Sequence, residues 1–125
     1  MQKKILIVDD FKDYVSLLEK RLRSEGYQTV ALQDSASAFA KIVSEKPDLV
    51  LLDIMMPGLA GPEVRAQLVN EPSTKNIPII FLTGLRAPHT AKKPFIDGVK
   101  VVGKAKDFNE LLEAIREVLG KSSKN

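Results

Sequence analysis

Short runs of apolar residues alternate along the chain with stretches in which apolar residues recur every three or four positions. The runs at residues 5–8, 49–52 and 77–82 are uninterrupted or nearly so. Uninterrupted runs of this length are typical of strands that are buried on both faces of a parallel sheet. Two weaker runs, at residues 28–32 and 99–102, complete a set of five predicted strands.

The stretches between these strands predict amphipathic helices. Ser35 or Ser37 is placed to cap the second helix and Asp107 to cap the last, which Gly120 should end. Pro88 and Pro94 interrupt residues 85–98, so this fourth helix should be short or irregular. The predicted inner faces consist of Phe11, Val15, Leu18 and Leu22 in the first helix, Phe39, Ile42 and Val43 in the second, Val64, Leu68 and Val69 in the third, and Leu111, Leu112, Ile115, Val118 and Leu119 in the last.

Regular alternation of strands and helices favours one architecture, a doubly wound parallel sheet with helices on both faces. We detect no linker, repeat or low-complexity segment. The sequence therefore predicts a single α/β domain over residues 1–120, followed by a polar C-terminal tail at residues 121–125.

The amino-acid composition limits the kinds of catalytic and metal site that this chain can form. Among the 125 residues there is no cysteine and one histidine, His89, which excludes disulfides and thiol catalysis and disfavours histidine-based metal or acid–base sites. No apolar run approaches the roughly 20 residues that span a bilayer, and no signal peptide is evident, so we expect no membrane association and a cytoplasmic location. The net charge of +3 is mild and gives no reason to expect nucleic acid binding.

Polar residues follow four of the predicted strands. They are Asp9 and Asp10, Asp53, Thr83 and Lys104. The carboxyl ends of parallel strands share one edge of the sheet, where ligands bind in such folds. Carboxylates 4 Å apart repel by roughly 4 kcal/mol per pair at an effective dielectric of about 20, so this cluster requires a cation, and Mg²⁺ suits oxygen ligands that leave room for water. The lysine and the threonine suit a tetrahedral anion.

These motifs together resemble the receiver domain of bacterial two-component response regulators. The segments that carry the resemblance are Val8-Asp9-Asp10, Leu51-Leu52-Asp53-Ile54-Met55-Met56-Pro57-Gly58, Phe81-Leu82-Thr83-Gly84 and Lys104. The similarity extends from Lys4 to about Leu119. It implies a flavodoxin-like fold with five strands in the order 2-1-3-4-5.

The resemblance also implies a role for each matching residue. Asp53 would accept a phosphoryl group from a histidine kinase or a histidine phosphotransfer protein. Asp9, Asp10, Asp53 and the Met55 carbonyl would hold Mg²⁺, and Thr83, Gly84 and Lys104 would bind the phosphoryl group. The chain would be a monomeric phosphoacceptor, not an enzyme, that assists its own phosphorylation and dephosphorylation and changes its binding to a downstream protein.

Three departures from the family pattern concern the relay of the signal. Ala105 replaces a common proline, Val101 stands where an aromatic switch residue is frequent, and residues 85–98 are poor in helix formers. We therefore expect the switch region to comprise Val101, Gly84, Leu85 and Gly98.

A phosphorylation-independent interaction module that retains the pocket is the alternative function. An aspartyl phosphatase is disfavoured because Asp9-Asp10-Phe11 lacks a DxD spacing, and a flavin carrier because an acidic pair would repel its phosphate. Lys93-Pro94 imitates the Lys-Pro of the family, but it follows Thr83 too closely for a helix and a strand to intervene, which leaves Lys104 as the pocket lysine.

Overall fold

The computed structural model describes residues 2–84, 95–96, 98–104 and 107–123. The helices within these ranges are α1 (Lys12–Ser24), α2 (Ala38–Glu45), α3 (Gly61–Val69) and the C-terminal helix α4 (Phe108–Ser123). The strands are β1 (Lys4–Val8), β2 (Gln28–Leu32), β3 (Leu49–Asp53), β4 (Ile79–Thr83), β5 (Phe95–Ile96) and β6 (Val99–Gly103).

Five of the strands form a parallel sheet in the spatial order β2-β1-β3-β4-β6, which confirms the predicted order 2-1-3-4-5. The structure adds the two-residue strand β5, which pairs antiparallel with β6 at the edge. This strand was not predicted, because the prolines around it indicated an irregular segment. The signal in the sequence was Asp97-Gly98, a dipeptide typical of two-residue hairpin loops, and Gly98 has a φ of +80°.

Two apolar layers cover the sheet. Side chains of β1 alternate between them, since Ile5 and Ile7 pack toward α1 and α4 whereas Leu6 and Val8 pack toward α2 and α3. All five residues of the central strand β3 are buried. The strand that carries Asp53 is therefore fixed from both faces.

Two predicted core residues lie at the surface instead. Phe11 precedes α1 in an extended conformation and is 58% exposed, because the helical repeat begins only at Lys12. Val69 ends α3 and is 41% exposed, since successive helical residues differ by about 100° and its neighbour Leu68 already faces the sheet.

The two predictions of helix ends had different outcomes. Ser37 occupies the N-cap position of α2, as predicted, but its side chain makes no capping hydrogen bond, and Asp34 caps the preceding 3₁₀ turn by accepting from the Ala36 N–H at 3.0 Å. Gly120 does not end α4, which continues to Ser123. A single glycine costs a helix only about 1 kcal/mol, which the packing of the rest of the helix can offset. The predicted division of the chain after residue 120 stays a prediction.

Gly61 lets α3 begin directly against the backbone of Asp53. Its N–H donates to the Ile54 carbonyl at 2.8 Å. A Cβ at this position would lie 2.5 Å from the Asp53 carbonyl oxygen and 3.0 Å from the Ile54 Cα. Both are backbone atoms of the strand end that carries Asp53, so neither can move aside without shifting the site.

We expect Gly61→Ala to lower the free energy of unfolding by about 1–3 kcal/mol, the usual effect of forcing a methyl group into a packed site. Urea denaturation measures it. The matched control is Gly120→Ala, where a Cβ meets nothing within 4 Å, and we expect it to raise stability by about 0.5–1 kcal/mol through helix propensity. Equal effects of the two substitutions would show that the contact at Gly61 is not restrictive.

Candidate functional site

Asp9 and Asp53 are placed by adjacent strands of the sheet. Asp9 directly follows β1, and its N–H donates to the Leu32 carbonyl of β2 at 3.0 Å. Asp53 is the last residue of β3, and the next N–H, that of Ile54, donates to the Leu82 carbonyl of β4 at 2.9 Å. These bonds extend the sheet pairing past the strand ends and hold both carboxylates at one edge.

Lys104 reaches the same edge from β6. Thr83 pairs with Gly103 in the sheet, and the Lys104 N–H donates to the Thr83 carbonyl at 2.8 Å. The Lys104 ammonium lies 2.6 Å from Asp9 Oδ2 and 3.3 Å from Asp53 Oδ2, with its side chain 14% exposed. One cation thus bridges two buried carboxylates.

The two oxygens of Asp9 have different surroundings. Oδ1 accepts a hydrogen bond from the Phe11 N–H at 3.0 Å, which fixes the turn into α1. Oδ2 is buried and receives no hydrogen bond of good geometry from the described residues, so Lys104 compensates its charge as an ion pair only. A buried carboxylate oxygen in this situation can accept a further cation or donor.

Asp10 completes an acidic cluster with Asp9 and Asp53. One carboxylate oxygen from each lies within 4.8 Å of the others, and Asp10 is exposed whereas the other two are buried. Three carboxylates against one ammonium leave excess negative charge. The donor set of hard oxygens, open to solvent at Asp10, fits Mg²⁺, which retains waters and is held by one or two carboxylates.

The charge of Asp53 is costly in these surroundings. Burial is the main cause that raises the pKa of its carboxyl from 3.8 to about 6, and the nearby Asp9 carboxylate adds to the effect. The Lys104 ammonium and a backbone hydrogen bond from Met55 act in the opposite direction. The net direction is upward because burial and the Asp9 carboxylate together outweigh the Lys104 ammonium and the Met55 hydrogen bond.

The remaining predicted ligands lie around this cluster. Thr83 is buried at 6% exposure beside Lys104. Gly84 follows it, and a Cβ added at Gly84 would make an ordinary van der Waals contact with Lys104 Cδ at 3.7 Å. Met55 has a side chain that is 60% exposed. The roles predicted for these residues stay predictions.

The predicted switch residues are only partly described. Val101 is buried in the layer that faces α2 and α3, so its side chain belongs to the core. Gly98 forms the turn between β5 and β6. Leu85 lies outside the described residues, as do His89, Lys93 and Ala105.

Sequence reasoning missed Tyr14, which lines the pocket from α1. Its ring centroid lies 5.3 Å from the Lys104 ammonium. Burial is the main cause that raises the pKa of its hydroxyl, and the Asp9 and Asp53 carboxylates raise it further. The signal was an aromatic residue in the first turn of the helix that follows the acidic pair, a position that faces the strand ends.

A second missed residue is Ser35. Its hydroxyl donates to the Pro57 carbonyl and accepts from the Leu59 N–H, both at 3.0 Å, and the residue is 2% exposed. This side chain ties the loop after Asp53 to the turn before α2. The sequence indicated only a possible helix cap.

The chain belongs to the family of response regulator receiver domains, whose family model matches residues 5–116. No helix in the described part of the chain has the length and apolar character that crossing a membrane requires.

Similar proteins agree with this assignment. The chain is 40% identical over 85 residues to the response regulator PleD of Caulobacter vibrioides, a match that covers 68% of this chain and 19% of PleD. A CheY-like receiver domain protein of Methanospirillum hungatei JF-1 has 27% identity and a TM-score of 0.84, with 99% of this chain and 98% of that chain covered. The response regulator TrrA of Thermotoga maritima, in complex with Mg²⁺-BeF, has 33% identity and a TM-score of 0.81, with 94% and 99% covered.

The raised pKa of Asp53 predicts a pH dependence of stability without added metal. The folded state binds this proton more tightly than the unfolded state, so the contribution is present below about pH 4 and is lost as the pH rises to about 6. The full shift corresponds to about 3 kcal/mol. We expect Asp53→Asn to remove this loss and to be more stable than wild type above pH 6, as measured by urea denaturation between pH 4 and 8. Asp13→Asn, at an exposed acid of α1, is the control. Parallel curves for wild type and Asp53→Asn would contradict the shift.

Proposed function

We propose that this chain accepts a phosphoryl group from a phosphohistidine on Asp53, in the presence of Mg²⁺, and changes its binding to a partner protein accordingly. The observation that carries the proposal is the Lys104 ammonium between Asp9 and Asp53, at 2.6 Å and 3.3 Å. A buried nucleophile, an adjacent acidic cluster and one cation at the ends of parallel strands are the parts that such a transfer requires.

The step is a displacement at phosphorus. An Asp53 carboxylate oxygen forms a bond to the phosphorus as the bond from phosphorus to the histidine nitrogen breaks, and the imidazole leaves with its electron pair and takes up a proton. The product is an acyl phosphate on Asp53. The reaction needs no oxidant and no further reactant.

The chain contributes positioning and charge. The Lys104 ammonium already lies 3.3 Å from Asp53 Oδ2 and would pair with an oxygen of a phosphoryl group bound to Asp53. The Thr83 hydroxyl and the Gly84 N–H, at the end of the adjacent strand, are the proposed donors to the others. Asp9, Asp10, Asp53 and the Met55 carbonyl would hold Mg²⁺, which would supply neutralising charge for the phosphoryl oxygens.

The partners follow from the same chemistry. The donor would be a histidine kinase or a histidine phosphotransfer protein, and a cytoplasmic location is part of the proposal because such kinases draw on cytoplasmic ATP. The structure of TrrA in complex with Mg²⁺-BeF supports extending magnesium and phosphoryl binding to this chain. The chain would act as a monomer on a downstream protein without contacting nucleic acid or membrane.

A receiver that signals without phosphorylation is the second candidate. The observation that favours it is Val101, an aliphatic residue at 8% exposure within the core, because it offers no aromatic ring to change position with phosphorylation. The two candidates differ in whether Asp53 takes up phosphate, so one experiment separates them.

We expect the wild-type chain to gain the mass of one phosphoryl group when it is incubated with Mg²⁺ and phosphoramidate, and Asp53→Asn to gain none, because the amide is not a nucleophile. Intact-protein mass spectrometry at neutral pH measures the gain. Asp13→Asn should be modified like wild type. Absence of modification in wild type would support the phosphorylation-independent module, and modification of Asp53→Asn would show that another residue is the acceptor.

Metal binding should depend on Asp10. The exposed Asp10 carboxylate makes no hydrogen bond with the described residues that would compete for it, so it can act as a ligand. We expect Asp10→Ala to weaken Mg²⁺ binding on the order of tenfold or more, in line with losses seen when metal sites lose supporting groups. Titration calorimetry measures the affinity, with Asp13→Ala as the matched control in the adjacent helix turn. An unchanged Mg²⁺ dissociation constant in Asp10→Ala would place the metal elsewhere.

A further inference from the structure

We infer that Tyr14 is a positioning residue that holds the Lys104 ammonium against Asp9 and Asp53. The role of Lys104 in phosphoryl transfer rests on the proposed function, whereas the contact itself does not. The observation is the ring of Tyr14, whose centroid lies 5.3 Å from the ammonium on a lysine that is 14% exposed.

The ammonium is enclosed from different sides by groups of different kinds. Asp9 Oδ2 at 2.6 Å and Asp53 Oδ2 at 3.3 Å attract it by charge, and the Tyr14 ring attracts it through the negative potential of its face. Cation–π pairs form within about 6 Å of the centroid and gain strength when the cation is withdrawn from water. The distance of 5.3 Å meets the first condition and the 14% exposure of the Lys104 side chain meets the second.

The need for a ring follows from what the carboxylates must do. Metal binding and phosphorylation would both engage carboxylate oxygens beside the ammonium, so Lys104 would exchange part of its present ionic contacts for a phosphoryl oxygen during the reaction. An uncharged aromatic face competes for neither the metal nor the phosphoryl group. It can therefore hold the ammonium before and after the reaction.

The surroundings of Tyr14 show where Lys104 would otherwise go. A groove of about 300 Å³ runs between α1 and α4, and Tyr14, Lys104 and Phe108 contribute to its walls. Because Lys104 is itself a wall residue, the groove reaches the lysine of the acidic cluster. A smaller side chain would open a path for the flexible lysine chain toward solvent, at the expense of its contacts with the carboxylates.

A second cation–π pair joins α1 to α4 along the same groove. Arg21, two helical turns after Tyr14 on the same face of α1, lies 5.2 Å from the centroid of the Phe108 ring at the start of α4. α1 thus contacts both Lys104 and Phe108 through cation–π pairs.

The test compares Tyr14→Leu, which retains apolar volume without a ring, with Tyr14→Phe, which retains the ring without the hydroxyl. We expect Tyr14→Leu to slow modification of Asp53 by phosphoramidate by about 3- to 30-fold, the range that cation–π energies imply, and Tyr14→Phe to retain the wild-type rate. The Mg²⁺ dissociation constant of Tyr14→Leu should not increase, because Asp9, Asp10 and Asp53 are untouched. Ser16→Ala, at an exposed position of the same helix that does not line the groove, is the control for effects on α1.

A double-mutant cycle distinguishes positioning from a general loss of structure. In a Lys104→Met background, Tyr14→Leu should slow the reaction no further, because there is no ammonium to hold. An equal slowing in both backgrounds, a slow Tyr14→Phe, or a weakened Mg²⁺ affinity would overturn the inference.

A readout that needs no phosphorylation keeps the inference separate from the proposed function. In the wild-type chain, NMR of the Lys104 ε-methylene should show a ring-current shift that is retained in Tyr14→Phe and lost in Tyr14→Leu. If the wild type gains no phosphate but shows this pattern, the proposed function fails and the contact stands. Absence of the shift in the wild type would refute the contact, whatever the protein does with phosphate.

Discussion

Asp9 and Asp53 stand buried at the ends of neighbouring strands, and the pocket around them depends on one ammonium that compensates both. The backbone of each aspartate is fixed by bonds that continue the sheet, so both side chains start from neighbouring strand ends. Removing one member of such a buried group leaves an uncompensated charge, which costs far more than the loss of a surface ion pair. The sheet thereby places two repelling carboxylates close together, and the Lys104 ammonium compensates their charge.

The position of Lys104 is itself a property of the backbone. The pairing of Thr83 with Gly103 and the bond from the Lys104 N–H to the Thr83 carbonyl set the start of the lysine chain beside the adjacent strand end. The backbone itself thus brings Lys104 close to its partners. A parallel sheet brings residues from four of its strands to one edge, where ligands bind in such folds.

The same property explains what could be predicted from the sequence. Asp9, Asp53, Thr83 and Lys104 follow apolar runs, so identifying the strands was enough to bring them together. Tyr14 and Ser35 act through contacts between elements distant in the chain, a ring against an ammonium and a hydroxyl between two loops. Gly61 acts through the Cβ that it lacks, against the end of the preceding strand. No periodic pattern marks such contacts. The strand β5 escaped prediction because the prolines near it outweighed its turn signal.

The unequal distances within the pocket have a chemical consequence. The ammonium lies closer to Asp9 than to Asp53, by 2.6 Å against 3.3 Å, so most of its compensation goes to the residue with the lower exposure, which is not the proposed nucleophile. Burial first, and then the Asp9 carboxylate, raise the pKa of Asp53 by more than the Lys104 ammonium lowers it. A carboxylate with a raised pKa is more basic and, once it has lost its proton, binds an electrophile more strongly. These surroundings suit Asp53 to the role of nucleophile in the proposed transfer, with Asp9 beside it as the nearer partner of Lys104.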